Sequence, residues 1–212
     1  MGARRLSNRF YLTIMKNYKL PIIRAVVIPI GLIIFWLAGT SHAATETPDY
    51  KLIRIDGRVE IRDYPALTIA TTTMEGAGMN GGFRQLFKFI TGKNEGEEKI
   101  AMTSPVLIHT AKEKKTMSFI MPKSAVEKGV PQPTGENVRL GKVEAARFVV
   151  LRFDGGRTAE NEAKTIEKLK TWLKAQKIQA KSEPIFGYYD PPWTPTFLRR
   201  NEVMIRIDKH HE

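Results

Sequence analysis

Leu67-Thr68-Ile69-Ala70-Thr71-Thr72-Thr73-Met74-Glu75-Gly76 reads as a half-buried strand closed by a turn glycine, and Arg147-Phe148-Val149-Val150-Leu151-Arg152-Phe153-Asp154-Gly155 reads the same way. Branched and aromatic residues fill both runs, as a pleated surface prefers. Gly76 and Gly155 stand 79 positions apart, and so do Pro105 in Thr103-Ser104-Pro105-Val106 and Pro184 in Ser182-Glu183-Pro184-Ile185. Two anchors at one offset predict a duplicated unit.

Each half carries the same order of elements. In the first, Val59 and Ile61, then Leu67 and Ile69, alternate as half-buried strands do. A helix is predicted over Gly82–Thr91 with Phe83, Leu86, Phe87 and Ile90 on one face, stopped by Gly92 and Asn94. Strands are predicted over Ala101–Thr110 and Thr116–Met121. In the second half Val149, Leu151 and Phe153 mark a strand, and a helix over Ala159–Lys177 carries Ala163, Ile166, Leu169 and Leu173 on its buried stripe. Val203, Ile205 and Ile207 share one side of the closing strand. The segment 127–141, with Gly129, Pro131, Pro133 and Gly135, reads as a loop inside one domain. The expected fold class is α+β. Pseudo-symmetric strand–helix–strand–strand units form a distorted antiparallel β-barrel flanked by two helices, with a cleft beside them suited to a small molecule.

This domain is expected over residues 44–212. Before it, residues 1–24 carry Arg4, Arg5, Arg9, Lys16, Lys19 and Arg24 and no acid. Ala25 to Ala38 is uncharged and largely apolar, and Ser41-His42-Ala43 places small residues at −3 and −1 of a cut after Ala43. Basic, apolar, small is the order of a secretory signal peptide. The apolar run is short of the roughly 20 residues that span a bilayer. Residues 1–43 are therefore expected to be a cleaved leader, with an uncleaved anchor as the alternative. Either places the domain outside the cytoplasm, periplasmic or membrane-anchored.

The leader also inflates the charge. The whole chain is +12, but of its 34 Lys+Arg six lie in the leader, leaving 28 against 22 Asp+Glu in residues 44–212. Lysines interleave with acids, as in Lys112-Glu113-Lys114, which describes a solvated face and no nucleic-acid site. The absence of cysteine excludes disulfides, thiolate metal ligands, a cysteine nucleophile and covalent haem attachment. No G-x-S-x-G elbow, H-E-x-x-H pair or phosphate loop is present; Gly76-Ala77-Gly78 lacks the Lys-Ser/Thr of a P-loop. No catalytic constellation is visible.

Phe186-Gly187-Tyr188-Tyr189-Asp190-Pro191-Pro192-Trp193-Thr194-Pro195-Thr196-Phe197-Leu198-Arg199-Arg200-Asn201-Glu202 sets three prolines beside aromatics and arginines. Proline fixes φ, so the loop is pre-shaped. Together with Lys99-Ile100-Ala101-Met102-Thr103-Ser104-Pro105-Val106, Val59-Glu60-Ile61-Arg62-Asp63-Tyr64, and Phe89-Ile90-Thr91-Gly92-Lys93-Asn94, it closely resembles the SOUL haem-binding protein family, from about Tyr50 to Asp208. The resemblance implies a distorted barrel of two similar halves with two long helices. It also implies non-covalent binding of haem or a related tetrapyrrole in an apolar cleft against the first helix, without obligatory iron ligation. Carried over by position, that helix supplies Phe83, Phe87 and Lys88. Some members have methionines where this chain has Phe83 and Phe87, so any thioether contact at those positions is lost. The cationic end of the cleft falls near Trp193, Arg199 and Arg200.

A porphyrin is a flat apolar plate with two carboxylates, so it needs aromatic faces and rim cations. Phe83 and Phe87 either supply faces or pack in the core with Leu86 and Ile90. Arg199 and Arg200 either meet propionates or, with Glu202, brace the strand that follows. His109 is the internal histidine and a weak candidate iron ligand; Tyr188, its counterpart at the 79-residue offset, and Tyr189 are weaker. The function expected is that of a carrier, buffer or sensor. The alternatives are a module for another amphiphile, or a tetrapyrrole-processing enzyme such as a dechelatase.

Overall fold

Strand-forming runs separated by two amphipathic helices fold into a single sheet. The computed structural model describes residues 45–76, 78–111 and 114–209; the expected leader, His210 and His211 lie outside them. Among the described residues nine strands occur in chain order: β1 (Lys51–Asp56), β2 (Val59–Tyr64), β3 (Leu67–Thr73), β4 (Val106–Ala111), β5 (Lys114–Ile120), β6 (Arg139–Val143), β7 (Ala146–Phe153), β8 (Ile185–Tyr188) and β9 (Asn201–Ile207). Helices α1 (Gly78–Ile90) and α3 (Ala159–Ala175) follow β3 and β7, and a short α2 (Lys123–Lys128) follows β5. The strand order is β1-β2-β7-β9-β8-β4-β5-β3-β6, every pairing antiparallel. The sheet stays open between β1 and β6, barrel-like without closing.

Period-two alternation sorts side chains onto two faces. On one face Ala70, Met117, Phe119, Val149, Leu151, Val203 and Ile205 pack against Leu86, Phe89 and Ile90 of α1 and Leu169 and Leu173 of α3. On the other, Tyr64, Phe148, Val150 and Met204 form a smaller cluster with Leu107 and Ile185. Each helix covers its own half of the sheet, α1 on β3 and β5, α3 on β7 and β9.

The α+β class, the antiparallel sheet and the two long helices agree with the sequence reading; several details differ. Helix α1 begins at Gly78, four residues earlier than expected. Gly92 ends it at φ +121°, and the Phe89 carbonyl accepts from Asn94 Nδ2 at 2.8 Å and from Gly92 N at 3.4 Å. Helix α3 ends at Ala175, and Thr165 is buried where Ala163 was expected. The strand expected from Ala101 starts at Val106, because Thr103 and Ser104 bond elsewhere, to Ile120 O and Glu46 O. Strand β6 (Arg139–Val143) begins within the expected loop and runs past its end, paired with β3. The expected duplication is not shown: five strands lie on one side of the β8–β4 junction and four on the other, and one offset does not serve both halves. At 79 residues Ala70 and Val149 both face the helices, whereas Val106 faces them and Ile185 faces away.

Charged residues bury themselves on the second face. Arg62 is 1% exposed and Glu202 0%. Arg62 donates to both Glu202 oxygens, at 2.8 and 3.1 Å, to Glu60 at 2.7 Å and to Tyr64 at 3.0 Å. Arg200 and Tyr189 also donate to Glu202, at 2.7 and 2.8 Å. Tyr50 lies over the Arg62 guanidinium at 4.4 Å. Burial alone would raise the Glu202 carboxyl, but the bonds and charge of Arg62, then of Arg200, outweigh it and hold it below its ordinary value. Burial lifts the Tyr64 hydroxyl to about 12, against the pull of Arg62.

A group held below its unfolded pKa stabilises the fold above that pKa, and the contribution fades as pH falls through the folded value. Glu202→Gln should therefore lower the unfolding free energy in urea by about 3 kcal/mol at neutral pH. The gap to wild type should shrink below about pH 4, the ordinary carboxylate range. A gap constant from pH 7 to pH 3 would contradict this account of Glu202.

Candidate functional site

Helix α1 buries Gly82, Leu86, Phe89 and Ile90 against the sheet. At 100° per residue this arc leaves Phe83 and Phe87 on the flank of the helix. They are 40% and 46% exposed and lie parallel, with centroids 5.8 Å apart and 16° between planes. Phe83 also meets the buried Phe119 edge-on at 5.4 Å. The predicted stripe of Phe83, Leu86, Phe87 and Ile90 is thus split: Leu86 and Ile90 are core, joined by Phe89, and the other two form an aromatic shelf. Met79, one turn earlier, is partly buried against the core.

The proline loop supplies a second apolar surface. Trp193 is 83% exposed, Phe197 77% and Leu198 64%. Their backbone is fixed from within. Arg199 Nε donates to Thr194 O at 2.7 Å, and its Nη2 donates to Pro192 O. Asp190 accepts from Arg200 N at 2.6 Å, and a 3-10 turn runs over Thr196–Leu198. Arg200 stacks on Tyr189 at 4.0 Å while bonding Glu202. Arg199 and Arg200 therefore brace the loop, the second of the two roles open to them from sequence.

Between shelf and loop lies Arg157, which the sequence reading missed. It directly precedes Thr158, the cap of α3, whose hydroxyl accepts from Asn161 N. Asn161 Nδ2 donates to Asp154 O and Gly156 O, and Asn201 Nδ2 to Gly155 O, so this turn is tied on both sides. The Arg157 guanidinium lies 4.1 Å from the Tyr188 ring centroid. Its Nη2 donates to Asp190 O at 2.9 Å and its Nη1 approaches Met79 Sδ at 3.8 Å. Nε is buried without a hydrogen-bond partner. Burial pulls the guanidinium below its ordinary value; Tyr188 opposes this and Arg199 adds to it. The Tyr188 hydroxyl is pushed well up, first by burial and then by its bond to the Glu162 carboxylate. These contacts span α1, α3 and β8, so sequence spacing could not announce them; the Gly155-Gly156-Arg157-Thr158 turn was the available signal.

The other candidates lie apart from the shelf. Lys88 borders, with Gln85, Phe89 and Lys93, a hollow of about 270 Å³ against the 133–138 loop. His109 pairs with Thr116 and Ile185, and strand alternation puts it on the sheet face away from the helices. Tyr188 faces the helices, so the two are not equivalent positions. Among the described residues no group of three His, Cys, Asp or Glu is placed to hold a metal ion, and no helix is long and apolar enough to cross a membrane.

Comparison with known proteins fits this architecture. A family model described as SOUL heme-binding protein matches residues 45–206. Human heme-binding protein 2 is 27% identical over 179 residues, covering 76% of this chain and 86% of that protein. The crystal structure of the EcmrR C-terminal domain superposes with a TM-score of 0.52 at 11% identity, over 76% of this chain and 98% of that one. An uncharacterized conserved protein from Listeria innocua gives 0.51 at 10% identity, over 79% and 95%. At such identities the two structures share the fold and nothing finer.

The split of the α1 stripe makes a stability prediction. Phe87→Asp, on the shelf, should change the unfolding free energy by no more than about 1 kcal/mol. Leu86→Ala, one residue away, should cost about 2–5 kcal/mol. Urea unfolding of the two variants checks this; equal losses would place Phe87 in the core.

Proposed function

The chain belongs to the SOUL haem-binding protein family, and on that premise we propose that it binds haem or a related tetrapyrrole non-covalently on the aromatic shelf of α1, facing the proline loop. The observation that carries this reading is the exposed, parallel pair Phe83 and Phe87. A helix that buries its other phenylalanine completely leaves these two in water, where a flat apolar plate gains most by covering them. The human relative is itself named a heme-binding protein.

The residues divide the work. Phe83 and Phe87 offer ring faces. Trp193, with Phe197 and Leu198, offers an apolar wall on a braced loop. Arg199 positions that wall through its bonds to Thr194 O and Pro192 O, and Arg200 does so through Glu202 and Tyr189. Lys88, exposed at the end of α1 but beside the 133–138 loop, lies apart from the shelf and takes no part in this reading. Iron ligation is no part of the proposal. Phenylalanine offers no lone pair to iron, and His109 lies on the far face of the sheet. Binding then rests on apolar contact and peripheral charge, which suits a carrier, buffer or sensor that must release its cargo. With the leader expected from the sequence, the protein would act outside the cytoplasm.

Hemin added to the folded domain should give a saturable 1:1 shift of the Soret band. Phe87→Asp should weaken it at least about tenfold, the equivalent of about 1.4 kcal/mol, while unfolding stays close to wild type. No saturable shift in the wild-type domain would reject the reading.

A further inference from the structure

Arg157 occupies an environment that its own protein leaves unfinished. Among the described residues the two buried arginines each meet a carboxylate, Arg62 with Glu60 and Glu202 and Arg147 with Asp63, and of the part-buried ones Arg200 meets Glu202 while Arg199 is held by the carbonyls of Thr194 and Pro192. Arg157 has none within ion-pair distance among the described residues. The two nearest acids are engaged by other donors, Glu162 by the Tyr188 hydroxyl and the Asp190 carboxylate by Arg200 N. Nε has no partner, and Nη1 has only a thioether. Holding a cation partly out of water with no carboxylate at ion-pair distance is costly. A carboxylate delivered from outside would offset that cost.

The position fits such a delivery. Met79, against Nη1, stands one turn before Phe83 on the shelf, and Asp190, which accepts from Nη2, opens the loop that carries Trp193. Arg157 therefore sits where shelf and loop adjoin. Methionine is flexible and a weak acceptor, so a carboxylate can take its place at Nη1. The guanidinium is already oriented by Tyr188 beneath it and Asp190 O beside it, and little freedom remains to be lost on binding.

We infer that Arg157 recognises a carboxylate of the bound tetrapyrrole and makes the site selective for porphyrins with free acid side chains over their neutral esters. This rests on the tetrapyrrole reading above and extends it: Arg157, and not Arg199 or Arg200, is the cation that reads the ligand's charge at the loop end. Arg199 and Arg200 are spent on the loop itself.

The test compares hemin with hemin dimethyl ester, which keeps the plate and removes both negative charges. Wild type should bind hemin about tenfold or more tightly than the ester, the equivalent of about 1.4 kcal/mol or more. Arg157→Ala should bring the ratio close to one mainly by weakening hemin, and Arg157→Lys should restore part of it. Arg157→Gln, which retains packing on Tyr188, reads the same ratio if the alanine variant does not fold. A merely structural Arg157 would weaken hemin and ester alike, and an unchanged ratio in Arg157→Ala or Arg157→Gln would overturn the inference while leaving tetrapyrrole binding intact. Failure of wild type to bind either compound would overturn both.

Discussion

The bidentate pair between Arg62 and Glu202 is the constraint on which the site depends. It is buried on the face of the sheet away from the helices and joins β2 to β9 across β7. Removing either partner leaves the other buried with one less-buried counter-ion, Glu60 for Arg62 or Arg200 for Glu202, so the arrangement holds as a unit. Glu202 also gathers Arg200 and Tyr189, which are the two ends of the proline loop. The loop is thus anchored from beneath by the charge cluster and from within by Arg199. Its exposed aromatics owe their position to a carboxylate on the opposite side of the sheet.

On the helix-covered face the controlling fact is where α1 touches down. Its contact arc centres on Gly82, Leu86, Phe89 and Ile90, and everything about the shelf follows from that rotation. Turned by one residue, the helix would bury Phe83 and Phe87, expose Phe89 and lose the paired shelf. The short tied turn before α3 then brings Arg157 against Met79 and Asp190. Three elements distant in sequence meet at one cation between two apolar surfaces. That combination of flat apolar contact and one unsatisfied positive charge matches a planar dicarboxylate better than a neutral lipid.

Much of the fold was legible in the sequence because it rests on period. The runs at 67–76 and 147–155 are strands, and the spacing of Leu86 and Ile90, and of Leu169 and Leu173, marks helices. Strands β1 and β6 were missed since both lie at sheet edges, where burial is partial and alternation weak. The site was legible only by residue type. Phe83 and Phe87 stood out, yet spacing could not distinguish shelf from core, because with Phe89 the apolar positions span about 160° and spacing does not say which part of that arc the sheet takes. The 79-residue offset pairs His109 with Tyr188, but a one-residue change of parity between β4 and β8 puts the two on opposite faces. Arg157 was invisible because every one of its partners is remote in sequence.

In the proposed site α1, the Arg157 turn and the proline loop form a single binding surface. The most direct measurement is amide chemical-shift mapping of the folded domain with gallium protoporphyrin, a diamagnetic stand-in for haem. The account predicts saturable perturbations at Met79–Lys88, at Arg157 and across residues 190–198, with the sheet face that carries His109 unaffected. Perturbations centred on that far face or on the outer side of α3, with α1 unmoved, would contradict it.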